Sequence, residues 1–234
     1  MIKKIDHKTM GRSNLGWLQS LFHFSFADYY NPNNINFGTL RVVNDDLIKS
    51  GTGFPTHPHR DMEIISYVID GELTHGDSMG NKRTLSRGQV QYLSAGTGIT
   101  HSEYNYSDVT ARFLQIWILP DQRGYRPNYG DYKFNWDDRK NKWLHIVSGQ
   151  TGNAPVKINQ DVNFHVLELD KGQEITFPVA EGRQAYLIQI EGTSQVNNIE
   201  LQMRDAMEIT EEDIRIAAAE TSHFIVIEMK KAAA

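Results

Sequence analysis

His57-Pro58-His59 and His101-Ser102-Glu103 each place two metal-ligand side chains at positions i and i+2. Residues two apart share a face when the chain is extended, so both motifs ask for β-strands. Two such strands side by side would aim three imidazoles and one carboxylate at one point. That donor set contains no sulfur and suits divalent iron, manganese, cobalt, nickel, copper or zinc. The surrounding sequence agrees with short strands and tight turns. Gly51, Gly53 and Pro55 precede the first motif in a turn-like stretch. Glu63 to Ile69 is rich in β-branched and aromatic residues and reads as a strand. Asp70-Gly71 and the run from Gly76 to Asn81 carry turn chemistry. Gly88 punctuates a further strand, Gln89 to Leu93, and the turn from Ser94 to Gly98 delivers His101. His7, His23, His75, His145, His165 and His223 lack this setting and are read as ordinary surface or hydrogen-bonded histidines.

The composition narrows the function classes. With 234 residues, 39% of them hydrophobic, and seven prolines, the chain can bury a core as one large β-domain or two small ones. No apolar run of about eighteen residues is present, so no membrane span is expected. The stretch from Met1 to Lys8 lacks the apolar centre of a signal peptide, which makes the cytoplasm the expected location. The absence of cysteine excludes disulfides, iron–sulfur clusters and thiolate zinc sites. A net charge of −5 leaves no basic footprint for nucleic acid.

No stretch carries a long helical period, and an all-β fold follows. Asn36 to Val43 and Arg112 to Leu119 are strand-like, the latter ending at Pro120. A polar and aromatic crossover spans Asp121 to Trp143. Short helical turns are expected near Arg12 to Gln19 and in that crossover. A second set of strands follows, at Leu144–Ser148, Val156–Ile158, Asn163–Leu169, Glu174–Phe177, Ala185–Ile190, Asp213–Ala218 and His223–Met229. The halves look like degenerate copies, since Tyr67 to Gly71 echoes Ile188 to Gly192. This predicts two tandem domains, residues 1–130 with the metal site and residues 131–234 without one. Superposing Gly71 on Gly192 sets His57 and His59 opposite Pro178 and Ala180, and His101 near Ala217. Gly76-x-Ser78-x-Gly80 matches a serine-hydrolase pattern, but that motif needs a helix after its strand, and a strand follows here. Lys230 to Ala234 reads as a loose tail.

The spacing Gly51-x5-His57-x-His59-x3-Glu63 resembles the first motif of the cupin family of small β-barrels, with the closing Gly71 one residue late. The second cupin motif is present in part, as Gly98-x2-His101-x3-Asn105, with Gly96 where proline is expected. The run from His57 through Gly80 to Glu103, with Phe24 to Tyr30 and Arg41 to Asp46, is similar to the pirin branch of the bicupins. The resemblance covers the first half in detail and the second half in architecture. It implies two tandem antiparallel jelly-roll barrels. It also implies a single divalent transition metal ion (Fe, Ni, Co, Mn, Cu or Zn) held by His57, His59, His101 and Glu103. A plain cupin would use Glu63 as the carboxylate. At ~3.3 Å per residue, Glu63 is roughly 13 Å along the strand from His59, whereas Glu103 is roughly 7 Å from His101. The nearer carboxylate agrees with the pirin pattern and leaves Glu63 a supporting role. Bacterial pirin-like proteins are associated with quercetinase activity, the cleavage of a flavonol by O2 with release of carbon monoxide. The implied partners are then a small aromatic substrate and O2, with Glu103 as the catalytic residue taking the substrate's hydroxyl proton. Trp17, Phe22, Phe24, Phe26, Phe54 and Met62 are candidates for the pocket wall, or else plain core. The alternative is a metal-binding regulatory protein without turnover, as eukaryotic pirins are linked to transcription. A monomer suffices for two fused barrels.

Overall fold

The computed structural model describes residues 1–231 and is built almost entirely of strands, its described helices being two short 3-10 turns, His7–Thr9 and Trp136–Arg139. None of the described helices is long and apolar enough to cross a membrane. The end of the expected tail, 232–234, lies outside the described residues, and Lys230 closes the last strand. In chain order the strands begin with β1 (Ile2–Ile5), β2 (Gly11–Asn14), β3 (Leu18–Phe22), β4 (Leu40–Ile48), β5 (Thr52–His59), β6 (Glu63–Asp70) and β7 (Glu72–Asp77). They continue with β8 (Lys82–Ser86), β9 (Val90–Ser94), β10 (Ile99–Asn105), β11 (Ala111–Ile118), β12 (Asn128–Tyr132), β13 (Leu144–Gly149) and β14 (Val156–Ile158). The remainder are β15 (Val162–Leu169), β16 (Glu174–Phe177), β17 (Arg183–Glu191), β18 (Ser194–Val196), β19 (Ile199–Leu201), β20 (Ala206–Thr210), β21 (Ile214–Ala218) and β22 (Ser222–Lys230).

The chain divides into two compact units. One comprises Met10–Phe134 with Ile158–Gln160, and the other comprises Met1–Thr9, Asn135–Lys157 and the chain from Asp161 onward. The first unit pairs a seven-stranded antiparallel sheet, β12-β9-β6-β11-β4-β3-β2, with a four-stranded sheet, β5-β10-β7-β8. The second repeats the plan position by position, as β1-β20-β17-β22-β15-β13-β14 with β16-β21-β18-β19. The place of β12 is taken there by β1, so the first residues of the chain complete the second barrel.

Strand burial follows from sheet position. β6, β11, β17 and β22 are central and buried along nearly their whole length, which is why they read as continuous apolar runs. β10 alternates, with Ile99, His101, Glu103 and Asn105 buried. The helical turn expected near Arg12 to Gln19 is instead the β2–β3 hairpin, in which Gly16 takes a positive φ of 83° and Asn14 Oδ1 accepts from its N–H. Pairing of β3 with β4 gives those backbone groups partners that an isolated helical turn of this length cannot supply. The strand expected from Asn36 starts at Leu40 and runs on to Ile48.

The ladders correct the expected internal alignment. Gly71 and Gly192 both sit at positive φ, 70° and 77°, in equivalent turns. Four residues on, His75 pairs with Glu103, and Val196 pairs with Ile216. His101 pairs with His57, and Ile214 pairs with Phe177. The counterparts of His57, His59, His101 and Glu103 are thus Phe177, Val179, Ile214 and Ile216, not Pro178, Ala180 and the neighbourhood of Ala217. All four belong to the apolar core of the second unit, together with Val196. The second unit has one residue more between Phe177 and Gly192 than the first has between His57 and Gly71, which shifted the sequence alignment, and hydrogen-bond register sets it right.

Candidate metal centre

β5 is an edge strand of the four-stranded sheet and carries Pro55 and Pro58, residues that a central strand would exclude. Its pairing with β10 slips between His101 and Glu103: His57 faces His101, but Phe54 faces Glu103. Two residues of β5, Pro55 and Thr56, therefore oppose one of β10, which is a β-bulge. The slip is tight at Gly53, where a Cβ would lie 2.2 Å from the Glu103 carbonyl oxygen. The bulge leaves the Pro55 carbonyl to accept from His57 Nδ1 at 2.8 Å. A carbonyl only accepts, so Nδ1 carries the proton and Nε2 is the bare nitrogen.

The rings of His57, His59 and His101 converge, with centroids 4.5 Å (His57–His101), 4.8 Å (His57–His59) and 4.9 Å (His59–His101) apart. One ligand atom from each lies within 4.8 Å of the other two. Burial, and then the neighbouring imidazoles, lower the pKa of His59 to about 4 and that of His101 to about 3. Both rings are neutral at physiological pH and keep a lone pair for coordination. His101 is 1% exposed, and neither of its ring nitrogens has a hydrogen-bond partner.

Glu103 lies on the same face of β10 and belongs to a second grouping, in which one ligand atom each from His75, His101 and Glu103 lies within 4.8 Å of the others. Its Oε1 accepts from Ser66 Oγ at 3.0 Å and from Gln91 Nε2, and its Oε2 accepts from Gln115 Nε2 at 2.6 Å. These donors come from β6, β9 and β11, so the large sheet fixes a carboxylate carried by the small one. Glu63 sits elsewhere: its oxygens accept from Ser94 Oγ at 2.7 Å and from the backbone N–H and side-chain amide of Asn159, both at 3.2 Å. It is a structural group, as the spacing argument expects.

His75 departs from its expected ordinary role. It is fully buried, stacks on Tyr129 at 4.2 Å with the rings 10° from parallel, and lies 5.4 Å from the His101 ring. The signal in the sequence was His75-Gly76-Asp77, a third ligand pair at i, i+2. The aromatic candidates divide. Trp17 and Phe54 pack on the barrel's apolar base with Leu18, Ile48 and Phe113, and Phe24 is buried. Phe22 and Phe26 lead to Trp117, at 5.5 Å for each step, and Trp117 meets His59 edge-on at 4.9 Å. Met62 and Trp117 both pack against the apolar cluster of Ile64, Leu93, Ala95 and Ile99. The Trp117 Nε1 atom is buried without a partner. Beside His59 a cavity of about 480 Å³ opens between Arg60, Gly98 and Thr100. Ser78 lies in a turn between β7 and β8, so the hydrolase pattern has no helix behind it.

Comparison with known proteins gives the family of the chain. Residues 5–118 match the family model described as pirin, and residues 144–229 match the quercetinase C-terminal cupin domain. A pirin-like protein of Caulobacter vibrioides is 42% identical over 230 residues, 97% of this chain and 99% of its own length. The quercetin 2,3-dioxygenase of Escherichia coli K12 is 39% identical over 221 residues, 94% of each chain. The crystal structure of a bacterial pirin from Escherichia coli in complex with nickel(II) superposes with a TM-score of 0.93 at 36% identity, covering 99% of this chain and 100% of that one.

Proposed function

This chain belongs to the pirin family, and from that premise we propose that it is a metal-dependent dioxygenase that opens a flavonol with O2 and releases carbon monoxide. The observation that carries the reading is His101, a buried imidazole with both nitrogens unpartnered at the meeting point of two other imidazoles and a carboxylate. Buried polar atoms left without partners are costly, and a divalent cation would satisfy them. His57, His59, His101 and Glu103 are the residues that would hold it. Three imidazole nitrogens and one carboxylate oxygen fit such an ion, and a relative crystallised with nickel(II) supports the choice of chemistry. The chemistry such an ion supplies when bound is the acidification of a coordinated hydroxyl.

The rest falls to the chain's own residues. His57 presents Nε2 because the Pro55 carbonyl holds Nδ1. Glu103, oriented by Gln91 and Gln115, takes the substrate's hydroxyl proton. Trp117 presents an apolar edge beside His59, where a flat aromatic substrate packs and water is kept from the reacting ring. The cavity beside His59 falls in the size range of small-ligand sites.

The test is a quercetin assay in air on metal-quantified protein, following flavonol absorbance and carbon monoxide, with His101→Ala alongside. Metal-dependent turnover that is lost with the metal in the variant supports the reading. Full activity in His101→Ala at unchanged metal content rejects the site. Bound metal without turnover on any first-row ion favours a regulatory metal-binding protein.

A further inference from the structure

The turn from Ser78 to Asn81 joins β7 to β8 and fixes the carboxylate of Asp77 at the end of β7. Asp77 Oδ1 accepts from the N–H groups of Met79 (2.9 Å) and Asn81 (3.1 Å), and the Asn81 side chain donates to both Asp77 oxygens at 3.1 and 2.9 Å. Asp77 Oδ2 in turn holds His75 Nε2 at 2.9 Å. A carboxylate accepts, so the proton sits on Nε2 and the bare nitrogen of a neutral His75 is Nδ1. That atom is buried and has no partner. Tyr129 stacked on the ring fixes its plane.

His101 pairs directly with Asp77 across the β10–β7 ladder and has two unpartnered nitrogens. A histidine that ligates a metal almost always donates its other N–H to a fixed acceptor. His57 has such an acceptor in the Pro55 carbonyl. For His101 the buried, unpartnered acceptor nearby is His75. A ring nitrogen of each lies within 4.8 Å of the other, a gap that one bridging water or a small ring rotation closes.

We propose that Asp77 and His75 are the positioning residues of His101: Asp77 fixes the tautomer of His75, and His75 Nδ1 takes the N–H of His101 so that its other nitrogen faces the metal. This rests on the metal reading above. The chain Asp77–His75–His101 joins residues of two strands, β7 and β10, and it gives the Ser78–Asn81 turn a task beyond closing a hairpin.

The experiment measures cobalt(II) affinity of the metal-free full chain by chelator competition, with the cobalt absorption spectrum as a second readout. His75→Phe keeps the ring stacked on Tyr129 but removes the acceptor, and affinity is expected to fall about 10- to 100-fold. His75→Asn returns an acceptor near the Nδ1 position and recovers part of the loss. Asp77→Asn presents a donor to His75 and reverses its tautomer, so it lowers affinity in the same direction. This last variant carries the test should His75→Phe fail to fold. Wild-type affinity in all three overturns the inference while leaving the metal site intact. A loss in His75→Phe as large as in His57→Ala, with an altered cobalt coordination number, also overturns it, because His75 would then be a ligand. If His57→Ala itself keeps wild-type affinity, the metal reading fails and takes the inference with it.

Discussion

Neither nitrogen of His101 has a partner, and an unsatisfied buried polar group costs about 1–3 kcal/mol. The chain tolerates that cost at the point where three imidazoles meet. Glu103 is held by three donors, so Glu103→Gln keeps the shape of the site while removing the proton acceptor. Turnover is expected to fall about 10²- to 10⁴-fold, read from kcat with metal content measured in parallel. In the second unit His165 stacks on His145 at 4.2 Å, and burial, then His145, lower its pKa to about 4. The unfolded chain, with His near 6.5, binds more protons than the folded one between about pH 6.5 and 4. His165 therefore contributes stability above that window that is lost as pH falls through it. His165→Phe should make the acid fall in melting temperature shallower, seen in scans from pH 7 to 4; an unchanged slope would exclude His165 as a contributor. The convergence of His57, His59 and His101 was legible because i, i+2 pairs declare a shared face. His75 was not, since its meaning depends on Glu103 and Tyr129 across the ladder and in the next sheet.

At the scale of elements, the bulge in β5 does more than bend an edge strand. It puts Phe54 rather than Pro55 opposite Glu103 and leaves the Pro55 carbonyl within reach of His57. Gly53 is the residue that permits the close approach, with Tyr104 as well as the Glu103 carbonyl pressed against it. Gly53→Val should cost about 1–3 kcal/mol in urea unfolding through overpacking, and should weaken metal binding, because β5 must move away from β10. Stability lost without any change in metal affinity would mean that the bulge serves the fold alone. Central strands were recognisable from apolar, β-branched runs. β2 and β12 lie at sheet edges and carry polar residues, so composition marked the first as a helical turn and the second as part of the crossover. Their strand character comes from the neighbour that accepts their backbone hydrogen bonds.

Over the whole molecule, one strand plan is used twice with opposite interiors. Gln115 is flanked by Asn44 and Ser66, and Ser66 by Gln91, a polar layer beneath Glu103. The matching positions of the second unit are Val226, His165, Leu187 and Met207. Three of these four are apolar, and the fourth, His165, stacks on His145. The second barrel also depends on the first residues of the chain: β1 pairs with β20 from Ile2–Ile209 to Ile5–Ala206, and Lys4 and His7 bind Asp205 at 2.8 and 2.7 Å. Deleting residues 1–7 should expose β20 as an edge and cost on the order of 3 kcal/mol, seen as a lower melting temperature and, at high concentration, association. An unchanged melting temperature would show that the ladder to β1 adds nothing.

The sequence by itself pointed to the all-β character and the duplication, because strand periodicity and turn chemistry act over a few neighbouring residues, while the four proposed metal ligands came from the paired i, i+2 motifs together with the resemblance to pirins. Tertiary structure decided the register that sets Phe177 and Ile214 against His57 and His101. It also decided the burial of His75 beside His101 and the completion of the second barrel by β1. Those features depend on which backbone groups find each other across long stretches of chain. Local propensity does not encode that choice; the closing of hydrogen-bonded sheets around a shared interior does.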